Sequence, residues 1–465
     1  MSPARNLLAA SAIAAALYAL FGHAFLNYDS FFTLVWGDDL AAGRLPDYEV
    51  PVAPTPHPLA TATGALLSVF GDSAEDLFLA IVLLSMGAIG LGLHRLGSEL
   101  FAPAVGILAA AIFLTRVPPL NFGIRGYVDL PTVALVVWAA VLEARRPRRG
   151  AAVLVLLALA GLLRPEAWLF AGVYWLWLRA PLRLLPLAAA APLTWALSDL
   201  LVTGDPLWSL NGTTDLAAEL GRRTGLGAVP EVMPRRLGEI MRLPELVAAV
   251  AGAGAGVLWL RSRVGVPLAV ACLNGVGFLV LAVAGLPLLG RYLFLAAAML
   301  SVLAGAGALG WLALPDGPER RRWRAGGLAL LAAIGLLFAV QQVDRIADLR
   351  ADIADRDRVQ ADLRDLVRGE RADAALAGCG TLFVPNHRPV PSLAYWLDRR
   401  PRSIVSAART APAADGAFLA PTPEAEPLSI LDPKDATRPA TDVPPGYALA
   451  AENRSWRLYR GPACR

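Results

Sequence analysis

Eleven apolar stretches decide what this chain can become. They run over roughly 6–26, 77–94, 102–115, 127–142, 151–163, 167–178, 184–201, 243–260, 264–285, 292–314 and 325–343. About 20 apolar residues carry a helix across the roughly 30 Å hydrocarbon core of a bilayer. A backbone in that medium must satisfy its own N–H and C=O groups, so such stretches become helices. Only 17% of the residues are charged, where a soluble domain carries roughly 25%. The expected fold class is an α-helical polytopic membrane protein with about eleven transmembrane helices. The first stretch follows Arg5 and has the look of a secretory leader, but its apolar run is longer than a leader's core. It reads as an uncleaved first span.

Arginines in the short connectors set the orientation, because cytoplasmic loops collect positive charge. With the N-terminus inside, the inner connectors hold Arg95, then Arg145, Arg146, Arg148 and Arg149, then Arg179 and Arg183, then Arg261 and Arg263, then Arg320, Arg321, Arg322 and Arg324. The outer side receives 28–76, 116–126, the 164–166 hinge, 202–242, 285–291 and everything after Val343. One outer loop breaks the trend with Arg222, Arg223, Arg235, Arg236 and Arg242. Attraction to anionic lipid headgroups accounts for such a cluster. The net charge of +4 is small and no basic tract is interleaved with aromatics, which argues against nucleic acid as a partner.

The outer loop 27–76 is too long for a simple connector. It carries Asp29, Asp38, Asp39, Asp47 and Glu49. Asp29 stands three residues past Leu26, the end of the first apolar stretch. A carboxylate at the mouth of a span is costly unless it has a partner or a task, so Asp29 is read as a catalytic base facing the outer side. Phe31, Leu34, Val35 and Leu40 recur at helical spacing and predict an interfacial helix over 29–42, with Asp38 and Asp39 on its wet face. A proline-rich ramp follows, and His57-Pro58 opens a second short surface helix that runs to Phe70. His57 either packs at this turn or meets substrate.

Further charged residues gather at outer span ends: Arg125 and Asp129, Arg164 and Glu166, and Arg291. Arg125 and Asp129 are four apart and predict a shared helix face. They form either a structural ion pair or a substrate-binding pair. Arg164 and Glu166 flank Pro165 as a hinge pair or as substrate contacts. Arg291 either snorkels to headgroups or binds a phosphate.

After Val343 the pattern changes. The division expected is a membrane domain over 1–343 and a small extracytoplasmic α/β domain over 344–465. A charged helix spans 344–377. Thr381–Val384 and Ser403–Val405 read as short strands with a helix Pro391–Leu397 between them, and 446–451 with 456–459 as a closing strand pair. Proline and alanine crowd 408–445, which reads largely as loop. Cys272, inside an apolar run, reads as packing. Cys379 and Cys464 pair if this domain is extracytoplasmic or remain two free thiols; the residues leave both open.

The order of these features resembles the polytopic GT-C glycosyltransferases, a group that includes the protein O-mannosyltransferases and the lipid A aminoarabinose transferases. The resemblance rests on Asp29 after the first span, Gly43-Arg44-Leu45-Pro46-Asp47-Tyr48, His57-Pro58-Leu59, Arg125 with Asp129, Gly161-Leu162-Leu163-Arg164-Pro165-Glu166, Gly204-Asp205-Pro206 and Arg291-Tyr292. It covers most of 6–343. Many members carry Asp-Glu after the first span, and here Ser30 follows Asp29. The resemblance implies an enzyme of the bacterial plasma membrane. Such an enzyme moves a sugar from a polyprenyl-phosphate donor to a lipid, glycan or protein acceptor on the outer face, usually with inversion. Asp29 matches the family's base, Arg291 a position that meets the carrier phosphate, and Asp129 one that orients a sugar. The C-terminal domain would dock the acceptor. No closed set of metal ligands is readable, so a divalent cation is neither required nor excluded. A transporter or lipid flippase is the competing reading. It calls for polar sites near mid-membrane and pseudo-symmetric halves, whereas here the charges lie at span ends and no repeat is seen.

Overall fold

The computed structural model describes residues 3–429 and 439–464. All eleven apolar stretches lie in helices, with fewer long ones than the sequence implied. The N-terminal helices are α1 (Pro3–Phe21), α2 (Tyr28–Ala41), α3 (Pro58–Leu67), α4 (Ala74–Leu100), α5 (Pro103–Leu114) and α6 (Val117–Ile124). Then come α7 (Asp129–Arg145), α8 (Ala151–Leu163), α9 (Ala167–Trp177), α10 (Leu185–Thr203), α11 (Trp208–Glu219) and α12 (Val229–Ile240). The bundle closes with α13 (Leu243–Trp259), α14 (Arg261–Val283), α15 (Phe294–Leu309) and α16 (Pro318–Leu337). Among the described residues, six helices are long and apolar enough to cross a membrane, or eight if two bent pairs each count as one span. The other stretches form helices of 10–17 residues.

The bends matter for the site. α5 meets α6 at 67°, and the helix ending at Ile240 meets α13 at 101°. Arg116 at the first bend donates to Glu245 in the first turn of α13 at 2.9 Å, and both are almost wholly buried. Removing one partner of a buried pair costs about 3–5 kcal/mol, so the two bends are held in register.

Three local expectations are corrected. α1 stops at Phe21 instead of residue 26, and the chain runs non-helically from Gly22 to Asn27. α2 does not lie on the surface: Ser30 through Gly37 are buried without a break. One face rests on α3, where Gly37 meets Gly64 so closely that a Cβ on Gly37 would stand 2.4 Å from the Gly64 carbonyl carbon. Another packs on the C-terminal domain through Phe31 against Trp396, ring centroids 5.2 Å apart. Cys272 faces outward and does not fill the core.

A π-turn over 338–342 joins α16 to α17 (Val343–Val367), so one nearly continuous helix leaves the bundle. Beyond it lie α18 (Glu370–Leu376), α19 (Val390–Trp396) and a five-stranded sheet of β1 (Leu382–Val384), β2 (Ile404–Ser406), β3 (Ala417–Pro421), β4 (Ala448–Glu452) and β5 (Trp456–Arg460). The order is β2-β1-β3-β5-β4. β1 runs parallel to both neighbours, and β5 is antiparallel to β3 and β4. β3 lies inside the region read as loop. Its five residues are all buried, so it shows no polar alternation. Cys379 and Cys464 form a disulfide. The sheet region is tied to the N-terminal part by Arg402, which bonds Asp47 and Glu49 (3.1 Å to Glu49) in the loop after α2, and by Trp396, which donates to Glu75 at the start of α4 at 3.1 Å.

Candidate active site

Asp29 is placed by backbone contacts that reach across the chain. Asn27 caps α2, its side-chain oxygen accepting from the N–H groups of Asp29 (2.8 Å) and Ser30 (3.3 Å). The Asn27 amide donates to the Arg125 carbonyl at 2.7 Å, and the Ser30 hydroxyl to the Gly126 carbonyl at 2.6 Å. Phe25 and Asn27 N–H groups also donate to Ile124 and Arg125. The segment after α1 is thus zipped to the α6–α7 turn. Gly126 has φ +68°, and a Cβ there would stand 2.5 Å from the Leu26 side chain. Only glycine meets both conditions without strain.

From this anchor the Asp29 carboxylate accepts from Arg291 Nη1 at 3.2 Å. Arg291 Nε lies 3.9 Å from Asp129, and Asp129 accepts from Arg164 at 2.5 Å. Asp29, Arg291, Asp129 and Arg164 therefore form one alternating chain of charge. Asp129 is 4% exposed and Arg164 8%, and burial of this depth needs the pairing. The Arg164 guanidinium lies 5.2 Å from the Tyr292 ring centre, and that of Arg291 stands 5.7 Å from Tyr127. Such contacts add about 0.5–1 kcal/mol or more when desolvated.

Two expected pairings are corrected. Arg125 does not share a helix face with Asp129, because it ends α6 while Asp129 begins α7 after the turn at Gly126. Arg125 instead lies over Phe25 and Tyr127. Arg164 does not pair with Glu166, since Asp129 takes it. One Glu166 carboxylate oxygen is buried with no partner.

Two cavities adjoin the cluster, and Arg164 borders both. A polar one of about 410 Å³ is bordered by Asp29, His57, Arg164, Arg222, Arg291 and Tyr292. The neighbouring chamber, about 590 Å³, is mostly apolar, with Trp168, Pro192, Trp195 and Leu281 in its wall. Thr55, His57, Arg164, Thr213 and Tyr292 border both. The Thr55 and Thr213 hydroxyls meet at 2.5 Å and link the proline-rich ramp to α11. His57 is at the N-terminal boundary of α3 without a side-chain cap bond, and its Nδ1 is buried and unpartnered. Burial first, then the nearby Arg164 and Arg291, hold its pKa well below the ordinary value, so the imidazole is neutral at pH 7.

Arg222 is the residue the sequence reading passed over, having assigned it with its neighbours to headgroup attraction. It is half-buried at the polar cavity, with no side-chain hydrogen bond or ion pair among the described residues. Burial and the charge of Arg291 push its pKa down, while Asp29 opposes this. Its one sequence signal was its place in a loop that breaks the positive-inside trend. Among the described residues, no three of His, Cys, Asp and Glu gather in a way that would hold a metal ion. The nearest carboxylates, Asp29 and Asp129, are already engaged by arginines.

Fold and site together define a polytopic helical bundle with an ionic cluster beside a polar cavity and an apolar chamber. That fold is shared with ArnT from Cupriavidus metallidurans. Against the crystal structure of ArnT in the apo state, the TM-score is 0.55 at 12% identity, over 98% of this chain and 97% of that one. Against ArnT bound to undecaprenyl phosphate, it is 0.52 at 12% identity, over 99% and 100%. No protein-family model and no curated protein matches the chain. The helical polytopic fold expected from the sequence is the fold shared with ArnT.

Proposed function

We propose that the chain is a glycosyltransferase of the bacterial plasma membrane. It would move a sugar from a polyprenyl-phosphate donor to an acceptor on the extracytoplasmic face, with inversion. Its membrane part is 1–343, comprising about eleven membrane-embedded helices, some too short to span alone. The domain 344–465 stands outside, a placement the disulfide supports.

One observation carries the reading: a partition with arginines on a polar cavity and an apolar chamber directly behind it. An amphiphile with an anionic head and a hydrocarbon tail fits both sides at once. The 590 Å³ chamber is about four times the ~150 Å³ cavity that takes one benzene ring, room for several isoprene units. The ArnT structure that holds undecaprenyl phosphate has this fold, which adds support.

In the reaction, Asp29 accepts the proton of the acceptor hydroxyl. The freed oxygen attacks the anomeric carbon, and the bond from that carbon to the phosphate oxygen breaks. The electron pair leaves with the polyprenyl phosphate. Arg291 and Arg222 stabilise the departing oxyanion, and guanidinium groups suit phosphate in a dry site. Neutral His57 hydrogen-bonds to the same group. Asp129 holds Arg164 and Arg291 in place and orients the sugar, with Glu166 beside it. Arg125 fixes the turn behind Asp29. A single displacement inverts the anomeric centre.

A panel of labelled undecaprenyl-phosphate sugars, offered to the purified chain with envelope acceptors, tests this. Release of undecaprenyl phosphate with a product of opposite anomeric configuration is expected. Folded protein that binds undecaprenyl phosphate but cleaves no donor in the panel would favour transport of the carrier.

A further inference from the structure

A third, smaller cavity of about 40 Å³ adjoins the ionic cluster, lined in part by Asp129, Arg164, Glu166 and Arg291. Each of these four carries one buried side-chain atom with no hydrogen-bond partner among the described residues: Asp129 Oδ2, Arg164 Nε, Glu166 Oε2 and Arg291 Nε. Asp129 meets Arg164 through its other oxygen, and Arg291 meets Asp29 through Nη1. Thr132 and Asn274 also line the cavity, but both are spent on backbone. Thr132 donates to the Val128 carbonyl at 3.1 Å. Asn274 donates to the Tyr292 carbonyl at 3.0 Å and accepts from the Ala296 N–H at 2.9 Å.

Asp129 and Arg164 are both more than nine-tenths buried. A buried polar atom left unpaired is destabilising, and four around one cavity call for a shared partner. The set decides the chemistry of that partner. Two N–H groups donate and two carboxylate oxygens accept, which matches a water molecule that accepts two hydrogen bonds and donates two. An ion does not match. The charged residues lining this cavity are two carboxylates and two guanidinium groups, which cancel, so a cation or an anion would bring an unbalanced buried charge. A sugar ring does not fit, because even one benzene ring takes a cavity of ~150 Å³. A water needs about 10–15 Å³, so the cavity has room for one to about three.

We infer that this cavity is a water site and that Glu166 is a positioning residue, acting through the water on Arg164 and Arg291. Arg164 and Glu166 flank Pro165 at the break between α8 and α9. The break then holds the cluster twice: directly, through Arg164 on Asp129, and through the water, from Glu166. Bonds to the two Nε atoms fix the planes of both guanidinium groups and leave their outer N–H groups for Asp29 and for an incoming anion. The water site stands on this geometry alone. The effect of Glu166 on carrier affinity rests on the donor assignment proposed above.

Two measurements on the full chain test this. In a crystallographic or cryo-EM map that resolves ordered water, density is expected about 2.7–3.2 Å from Glu166 Oε2 and from at least one of the two Nε atoms. A cavity clear of density with the four side chains in place, or four side chains closed directly on one another, overturns the water site. The second measurement is the Kd for undecaprenyl phosphate of Glu166→Gln and Glu166→Leu. Glu166→Gln keeps an acceptor oxygen for the water and should stay within about 2-fold of the wild type. Glu166→Leu removes it and should weaken binding about 5-fold, the worth of one hydrogen bond. Equal weakening by both variants would make the charge of Glu166 the cause, and no weakening by Glu166→Leu would leave it without a role; either overturns the positioning role. If the wild type itself does not bind the carrier, the donor assignment fails, and the map alone decides the water site, as it does if Glu166→Leu does not fold.

Discussion

Asp129→Asn separates a counter-charge from a ligand. Asp129 holds Arg164 at 2.5 Å and lies 3.9 Å from Arg291, at 4% exposure. The amide keeps the shape and one acceptor oxygen but removes the charge, leaving two buried guanidinium groups, Arg291 with Asp29 beside it and Arg164 with only Glu166 nearby. Breaking a buried pair costs about 3–5 kcal/mol, and retention of a hydrogen bond puts this change near the lower figure, about 3 kcal/mol. The same change frees the arginines for an anion. Unit charges 4 Å apart interact by about 4 kcal/mol at an effective dielectric of 20, and even a third of that is about tenfold in Kd. The variant should therefore unfold more easily when empty, yet bind undecaprenyl phosphate about tenfold more tightly and recover most of its lost stability with the carrier bound. Thermal unfolding in detergent, across a carrier titration, reads both. Binding weakened as much as by Arg291→Ala would refute the reasoning and make Asp129 a direct ligand of the headgroup.

Three other changes test parts of the account. Gly126→Ala forces a side chain into φ +68° against Leu26; it should cost about 1–3 kcal/mol and lower transfer by shifting Asp29, whereas unchanged activity would show that the turn does not position the base. Burial, then Asp398 and Asp39, raise the Asp38 pKa to about 6, with Arg44 opposing. Because the folded value is raised, the stabilisation is full below about pH 4, the unfolded value, and is lost as pH rises through 6. Asp38→Asn should flatten that slope and stabilise the chain at pH 7 by about 1 kcal/mol, a figure discounted for its half-exposed side chain, and a slope that survives the substitution would exclude Asp38 as its source. Cys464→Ser opens the link to Cys379, 85 residues away, and should destabilise the C-terminal domain by about 2–4 kcal/mol; hydrogen exchange that is unaltered around β1 and β5 would contradict this.

The bundle was legible because a bilayer leaves apolar stretches one solution, so all eleven became helices. Their number as spans was less legible, because bends such as Met241–Arg242 follow from tertiary packing. Asp29 stood out as a carboxylate at a span's mouth. Its partner did not: Arg291 lies 262 residues away. The same holds for Arg164 with Asp129, and local spacing suggested Arg125 instead. In that case a four-residue interval was read as a helix face across Gly126, whose positive φ breaks the helix. Arg222 was hidden among five arginines of one loop, where only the fold decides that it and Arg236 reach the cavity and that Arg236 is paired with Glu239. The buried strand Ala417–Pro421 lacked alternation and sat among prolines, so nothing in its pattern marked it.

The most direct test of the central claim compares sugar transfer by the wild type and by Asp29→Asn, with undecaprenyl phosphate binding measured in parallel. Loss of the general base should lower transfer about 10²- to 10⁴-fold, while carrier binding holds or strengthens because Arg291 loses its 3.2 Å counter-charge. Transfer at the wild-type rate by the folded variant would contradict the account and send the search for the base elsewhere in the cavity.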